Sequence, residues 1–157
     1  GLDAGPEGLW PDWSDPRVDA IVPMAGDAFF FGEPGLSQIE VPVLAIGGTL
    51  DGDTPFLWGP QPTYEHASGP AKALVALNDA EHMIFTSRRD SIRWYAKPLA
   101  GEFCADSVWD RDQAHDLVAH LTTAFLLAEL KRDSDAAAAL APQAVEFPGV
   151  AYEAQGY

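Results

Sequence analysis

Three short apolar runs constrain the fold more than any other feature of this chain. They are Val18 to Met24 (VDAIVPM), Val41 to Ile46 (VPVLAI) and Ala73 to Leu77 (ALVAL). Each is bounded by turn residues and has the length of a strand rather than a helix. None alternates cleanly between apolar and polar residues. Near-continuous apolar strands are buried on both faces, which is the mark of a parallel sheet covered by helices. Roughly two dozen residues separate the second and third runs, enough for a crossover helix. In that interval Pro62 to Ser68 (PTYEHAS), closed by Gly69-Pro70, reads as a short helix with a stop signal. Pro42 stands at the start of the second run, where a missing N–H is tolerable.

The remaining segments fit an α/β domain. Gly1 to Pro16 is rich in Gly and Pro and reads as irregular loop, and Asn78 to Ser107 as a long loop region. Trp109 to Leu130 is the strongest helix signal. Leu117, Val118, Leu121, Ala124, Phe125 and Ala128 recur at three- and four-residue spacing and form one apolar stripe. Ser107 is a candidate cap, Asp110 and Asp112 suit the positive end of the helix dipole, and Lys131 and Arg132 suit the other end. Ser134 to Leu140 is a short Ala-rich helix, and Phe147 to Tyr157 an extended tail docked by its aromatics. With 157 residues and no repeat or linker, residues 1–157 read as part of one domain. The net charge of −15 disfavours nucleic-acid backbone and anionic membrane as partners. No apolar run approaches the ~18 residues of a membrane span.

The chemistry is expected where these strands end. The second run passes directly into Gly47-Gly48-Thr49-Leu50-Asp51-Gly52-Asp53-Thr54-Pro55, and the third into Asn78-Asp79-Ala80-Glu81-His82-Met83-Ile84-Phe85. In open α/β sheets functional groups sit just past the carboxyl ends of the strands. Adjacent parallel strands would bring Asp51 and His82, 31 residues apart, to one edge of the sheet. An acid followed by a histidine is the latter part of the order Ser…Asp/Glu…His used by α/β-hydrolases.

The chain resembles the C-terminal half of an α/β-hydrolase, and within that fold it looks like the dienelactone hydrolase and platelet-activating-factor acetylhydrolase-like group. The segments that carry the resemblance are DPRVDAIVPMAG (Asp15 to Gly26), VPVLAIGGTLDGDTP (Val41 to Pro55), ALNDAEHMIF (Ala76 to Phe85) and WDRDQAHDLVAHLTTAFL (Trp109 to Leu126). It implies that the three runs are the sixth, seventh and eighth strands of that fold, that Asp51 is the triad acid and His82 the triad base, and that the long helix is the final helix packed on the sheet. It implies a carboxylic ester hydrolase for small, short-acyl esters, with no cofactor and no metal. Cleavage of an amide or peptide by the same triad, and a catalytically silent binding subunit, are the alternatives.

The family's nucleophile lies in G-x-S-x-G, and this motif does not occur here. The seven serines are Ser14, Ser37, Ser68, Ser87, Ser91, Ser107 and Ser134, and none follows an apolar strand with flanking glycines. Cys104 follows the histidine, out of order for a cysteine nucleophile. The resemblance therefore implies a partner: an N-terminal hydrolase piece, produced by processing or otherwise separate, carrying the Ser and the oxyanion hole and pairing with the open edge of this sheet.

Plainer readings stand beside these. Asp51 and Asp53 suit an ordinary turn; a calcium loop would need further ligands that the sequence lacks. Glu81 neighbours His82 but reads as a solvated residue. His115 and His120, five apart, do not share a helix face as a two-His metal site would, and read as partners in helix-surface charge pairs. His66 reads as exposed. Phe29, Phe30, Phe31, Trp58, Trp94 and Tyr95 lie in loops near the strand ends. Packing is the default for Phe29 to Phe31, and an acyl or alcohol pocket formed with Trp58, Trp94 and Tyr95 is the functional reading. Cys104 reads as a buried free thiol, or as a disulfide to the separate piece if the protein is exported. A soluble protein is expected, with a secreted or periplasmic location as one option.

Overall fold

The computed structural model describes residues 15–86, 106 and 108–157. The named strands are β1 (Val43–Gly48), β2 (Lys72–Leu77) and β3 (Val150–Gln155), and the helices are α1 (Gly32–Leu36), α2 (Pro60–His66), α3 (Arg111–Lys131) and α4 (Ser134–Ala139). Two 3-10 turns, Phe29–Phe31 and His82–Phe85, lie in the loops. The architecture is mixed α/β, with sheet order β1-β2-β3.

β1 and β2 pair in parallel, from Val43↔Lys72 to Gly48↔Leu77, as their apolar character predicts. Every residue of β1 is buried. Period-two alternation divides the strands between two cores. Leu44, Ile46, Ala73, Val75 and Leu77 face α3 and α4, where Leu121, Phe125 and Leu140 are buried. Val43, Ala45 and Leu74 face α2 through Tyr64 and Ala67. The second strand begins two residues later than predicted and runs through Gly47 and Gly48, because both glycines pair with β2.

The first predicted strand, 18–24, is a correction. It lies beside β1 but forms only two isolated parallel bridges, Ile21↔Val43 and Met24↔Ile46. Pro23 has no N–H and removes a ladder donor between them. The residues that bond β1 are Ile21, Pro23 and Ala25, through Pro42, Leu44 and Ile46. The intervening Ala20, Val22 and Met24 make no backbone hydrogen bond among the described residues, so no described strand lies on this side of the segment.

α3 starts at Arg111 because Asp110 caps it, its carboxylate accepting the Gln113 N–H at 3.0 Å. Ser107, the predicted cap, lies outside the described residues. Arg132, at φ +55°, ends the helix in the left-handed conformation. Ala114, Leu121, Ala124, Phe125 and Ala128 form the buried stripe. α4 is capped by Asp133, which accepts from the Asp135 and Ala136 N–H groups. The tail is β3, antiparallel to β2. Tyr152 anchors it by donating its hydroxyl to Leu140 O at 2.7 Å. Among the described residues no helix is long and apolar enough to cross a membrane.

Candidate active site at the carboxyl ends of β1 and β2

The two exit loops are joined before any functional group is reached. Thr49 N–H donates to Leu77 O and Leu50 N–H to Ala80 O, each at 3.0 Å. Asp79, at φ +59°, turns its N–H onto Thr49 Oγ1 at 2.8 Å. Gly48 makes this approach possible: a Cβ there would overlap the Ala80 carbonyl.

Asp51 follows that junction, and its side chain is only 1% exposed. Oδ1 accepts the backbone N–H groups of Asp53 (2.9 Å) and Thr54 (2.8 Å), an Asx turn closed by the carboxylate itself. Oδ2 lies 2.9 Å from Thr54 Oγ1 and 2.8 Å from His82 Nδ1. Three N–H donors, with the Thr54 hydroxyl beside them, make burial of this carboxyl group tolerable. A carboxylate only accepts, so in this pair Nδ1 carries the proton and Nε2 is left as the acceptor. No described residue hydrogen-bonds Nε2, and the histidine side chain is 31% exposed.

His82 opens a 3-10 turn whose anchor is the fully buried Ile84. The turn is held from α3: His115 Nε2–H donates to Ile84 O at 2.8 Å. This contact of His115 adds a structural tie to the surface-pair reading of that residue, and His120 lies edge-on to Phe147. Asp106 adds a second tie, accepting from Glu81 N–H and from the Val108 and Trp109 N–H groups at the approach to α3. Glu81 and Asp53 have exposed side chains beside the pair.

The structure thus brings Asp51 and His82 together, and it adds Thr54, which sequence reasoning missed. The available signal was the Asp-x-x-Thr spacing, which lets one turn present both a carboxylate and a hydroxyl.

Phe29, Phe30 and Trp58 also come together. Phe29 stacks on Trp58 at 5.5 Å between ring centroids and meets Phe30 edge-on at 5.8 Å. Their loops are joined by Ala28 N–H donating to Trp58 O at 3.1 Å, and Ala25 O of the same stretch receives Thr54 Oγ1. Of the two default expectations for Phe29 to Phe31, core or subunit packing, the first does not hold in this chain, since all three are exposed, Phe30 by 82%. Trp94, Tyr95 and Cys104 lie outside the described residues. Cavities of about 280 Å³ beside α2 and about 440 Å³ between α3 and Phe147 are lined by neither Asp51 nor His82. Of the described serines, Ser37 and Ser68 donate their hydroxyls to backbone carbonyls, and none meets His82. Among the described residues no group of three or more His, Cys, Asp or Glu converges as a metal site would.

No protein-family model matches the sequence, and no curated protein matches it. The fold and this one pair of side chains therefore carry the functional reading.

Proposed function

We propose that the chain is the C-terminal half of an α/β-hydrolase domain and supplies the acid and base of a Ser-His-Asp triad that cleaves carboxylic esters. The observation that carries this reading is the 2.8 Å contact between buried Asp51 and His82 Nδ1, formed at the carboxyl ends of two parallel strands with Nε2 left open. The order acid then histidine, and the resemblance quoted above, point the same way. The nucleophilic serine and the oxyanion hole belong to an N-terminal piece. The edge at Ala20, Val22 and Met24 suits its docking, because no backbone group of theirs is paired among the described residues and they can receive one more strand. Phe29, Phe30 and Trp58 form an exposed aromatic cluster, on a loop tied to Thr54 through Ala25 O, whose apolar surface suits a small acyl or alcohol group.

The mechanism follows from the geometry. The partner's serine hydroxyl attacks the ester carbonyl while His82 Nε2 takes its proton. The imidazolium keeps its Nδ1–H on Asp51 Oδ2, which stabilises the new charge and holds the ring in place. Nε2 then returns the proton to the departing alcohol. Water attacks the acyl-enzyme through the same base, releasing the acid and restoring the serine.

The test uses the complete protein and a short-chain p-nitrophenyl ester. His82→Ala is expected to abolish nearly all turnover, and this chain by itself is expected to show none. Full activity in His82→Ala would overturn the triad. The coding sequence upstream gives a second check, since it should encode a strand followed by G-x-S-x-G. A complete protein that folds but hydrolyses no ester or amide would make the pair a relic in a binding subunit.

A further inference from the structure

Thr54 makes more contacts than its turn requires. The Asx turn is already closed by the backbone N–H groups of Asp53 and Thr54 on Asp51 Oδ1. The Thr54 hydroxyl takes no part in that closure. Instead Oγ1 lies 2.8 Å from Ala25 O, 2.9 Å from Asp51 Oδ2 and 3.1 Å from His82 Nδ1. One hydroxyl proton faces two acceptors, the carbonyl and the carboxylate, and a ring nitrogen stands just beyond them.

The placement of Ala25 is itself unusual. At φ +45° it occupies the left-handed region, which a residue with a Cβ adopts at a cost. Its N–H donates to Ile46 O at 2.8 Å, so the strained residue is fixed to β1. Its carbonyl oxygen is the partner of Thr54 across 29 residues of chain.

We propose that Thr54 is a positioning residue whose hydroxyl, held between Ala25 O and Asp51 Oδ2, fixes the carboxylate and with it the tautomer and orientation of the His82 ring. The inference rests on the reading of Asp51 and His82 as acid and base. The chemistry is a choice of where one proton points. A Thr54 O–H aimed at Nδ1 would donate to it and favour the tautomer protonated at Nε2, which cannot take a proton from a serine. The two oxygen acceptors hold that proton away from the ring. Nδ1 then keeps its own proton on Asp51 Oδ2, and Nε2 stays a base. Removing the hydroxyl leaves Oδ2 with the ring as its single donor and the carboxylate held only by the two turn bonds on Oδ1, so Oδ2 is less firmly placed and the ring's partner is less well fixed.

The experiment compares Thr54→Val, which keeps the shape without the hydroxyl, with Thr54→Ser, which restores it. The first readout is the pair of His82 ring ¹⁵N resonances in histidine-labelled protein, which report the tautomer directly. Wild type and Thr54→Ser should give one tautomer, protonated at Nδ1, and Thr54→Val a mixture. The second readout is hydrolysis of a short-chain p-nitrophenyl ester by the complete protein. Loss of one hydrogen bond to the carboxylate should lower kcat about tenfold in Thr54→Val, with KM within about twofold. Wild-type ring resonances in a folded Thr54→Val protein overturn the proposal, even if that protein melts earlier. Should Thr54→Val fail to fold by circular dichroism, Thr54→Ala gives the same comparison with the smaller side chain. If wild type hydrolyses nothing, the hydrolase reading falls while the ring resonances still decide the role of Thr54.

Discussion

Gly48→Ala should damage both the fold and the site, and its cost can be worked from the contact beneath the residue. The added methyl would overlap the Ala80 carbonyl oxygen and stand 2.8 Å from the carbonyl carbon and 3.2 Å from Ala80 Cβ. Ordinary carbon contacts lie near ~3.5–4.0 Å, so the two exit loops must separate by about 1 Å. That movement weakens the Leu50 N–H to Ala80 O bond, 3.0 Å long in the native fold, and leaves the carbonyl of a fully buried residue without its donor. Overpacking and the unmet polar group together cost about 2–5 kcal/mol. This is a large part of the ~5–15 kcal/mol that holds a domain of this size. Gly52→Ala is the control. It lies in the same loop, has no positive φ, and a Cβ there would meet nothing within 4 Å. Its effect should stay within about 1 kcal/mol. Urea unfolding followed by circular dichroism measures both. Equal stability of Gly48→Ala and wild type, or equal losses in the two variants, would refute the argument that close approach of the loops dictates glycine at 48.

Two other expectations follow. Asp51→Asn can keep its oxygen toward the Asp53 and Thr54 N–H groups only by turning its amide N–H₂ toward His82 Nδ1. The ring must then accept there and carry its proton on Nε2, so ester turnover by the complete protein should fall by about 10⁴, the value for the equivalent change in a serine protease; a loss under tenfold would argue against Asp51 as the orienting acid. Burial raises the phenol pKa of Tyr152, and burial with the Glu129 hydrogen bond raises that of Tyr157. Raised folded-state values mean that both groups favour the fold fully below the unfolded tyrosine pKa of about 10 and that this contribution fades as pH climbs above it. Phenolate absorbance in an alkaline titration should show these two tyrosines ionising only as the far-ultraviolet signal is lost, and ordinary titration in an intact fold would contradict this.

The amino-acid pattern made β1, β2 and α3 legible to within about two residues, because continuous apolar runs and a three-four stripe report burial directly. Asp51 and His82 were legible for the same reason: once two strands are parallel neighbours, the residues just past their ends share an edge. The first run misled because its apolar content satisfies a strand while Pro23 breaks the ladder, and apolarity carries no information about hydrogen-bond donors. For Phe29 to Phe31 the sequence left core and subunit packing undivided, since an aromatic cluster is apolar whether or not its own chain covers it. Thr54, His115 and Asp106 were hidden because each acts through a contact that forms only in three dimensions. His115 finds Ile84 O 31 residues away, and Thr54 finds Ala25 O 29 residues away. The antiparallel pairing of β3 was invisible too, since the tail pattern set its extension but not its neighbour.

The junction beneath the acid and the histidine also has a consequence for how this pair could be lost or kept over time. Their relative height is set by strand register, Gly48 opposite Leu77, and locked by Leu50 on Ala80 and Asp79 on Thr49. A slip of one residue would move one loop against the other by about 3.3 Å, more than the whole length of the Asp51–His82 contact. None of the locking groups is the acid or the base. The register and these locks do not depend on either side chain, so under the proposed reading single substitutions at Asp51 or His82 would remove the acid–base pair while the paired strands beneath it persist, and reversing them would restore it.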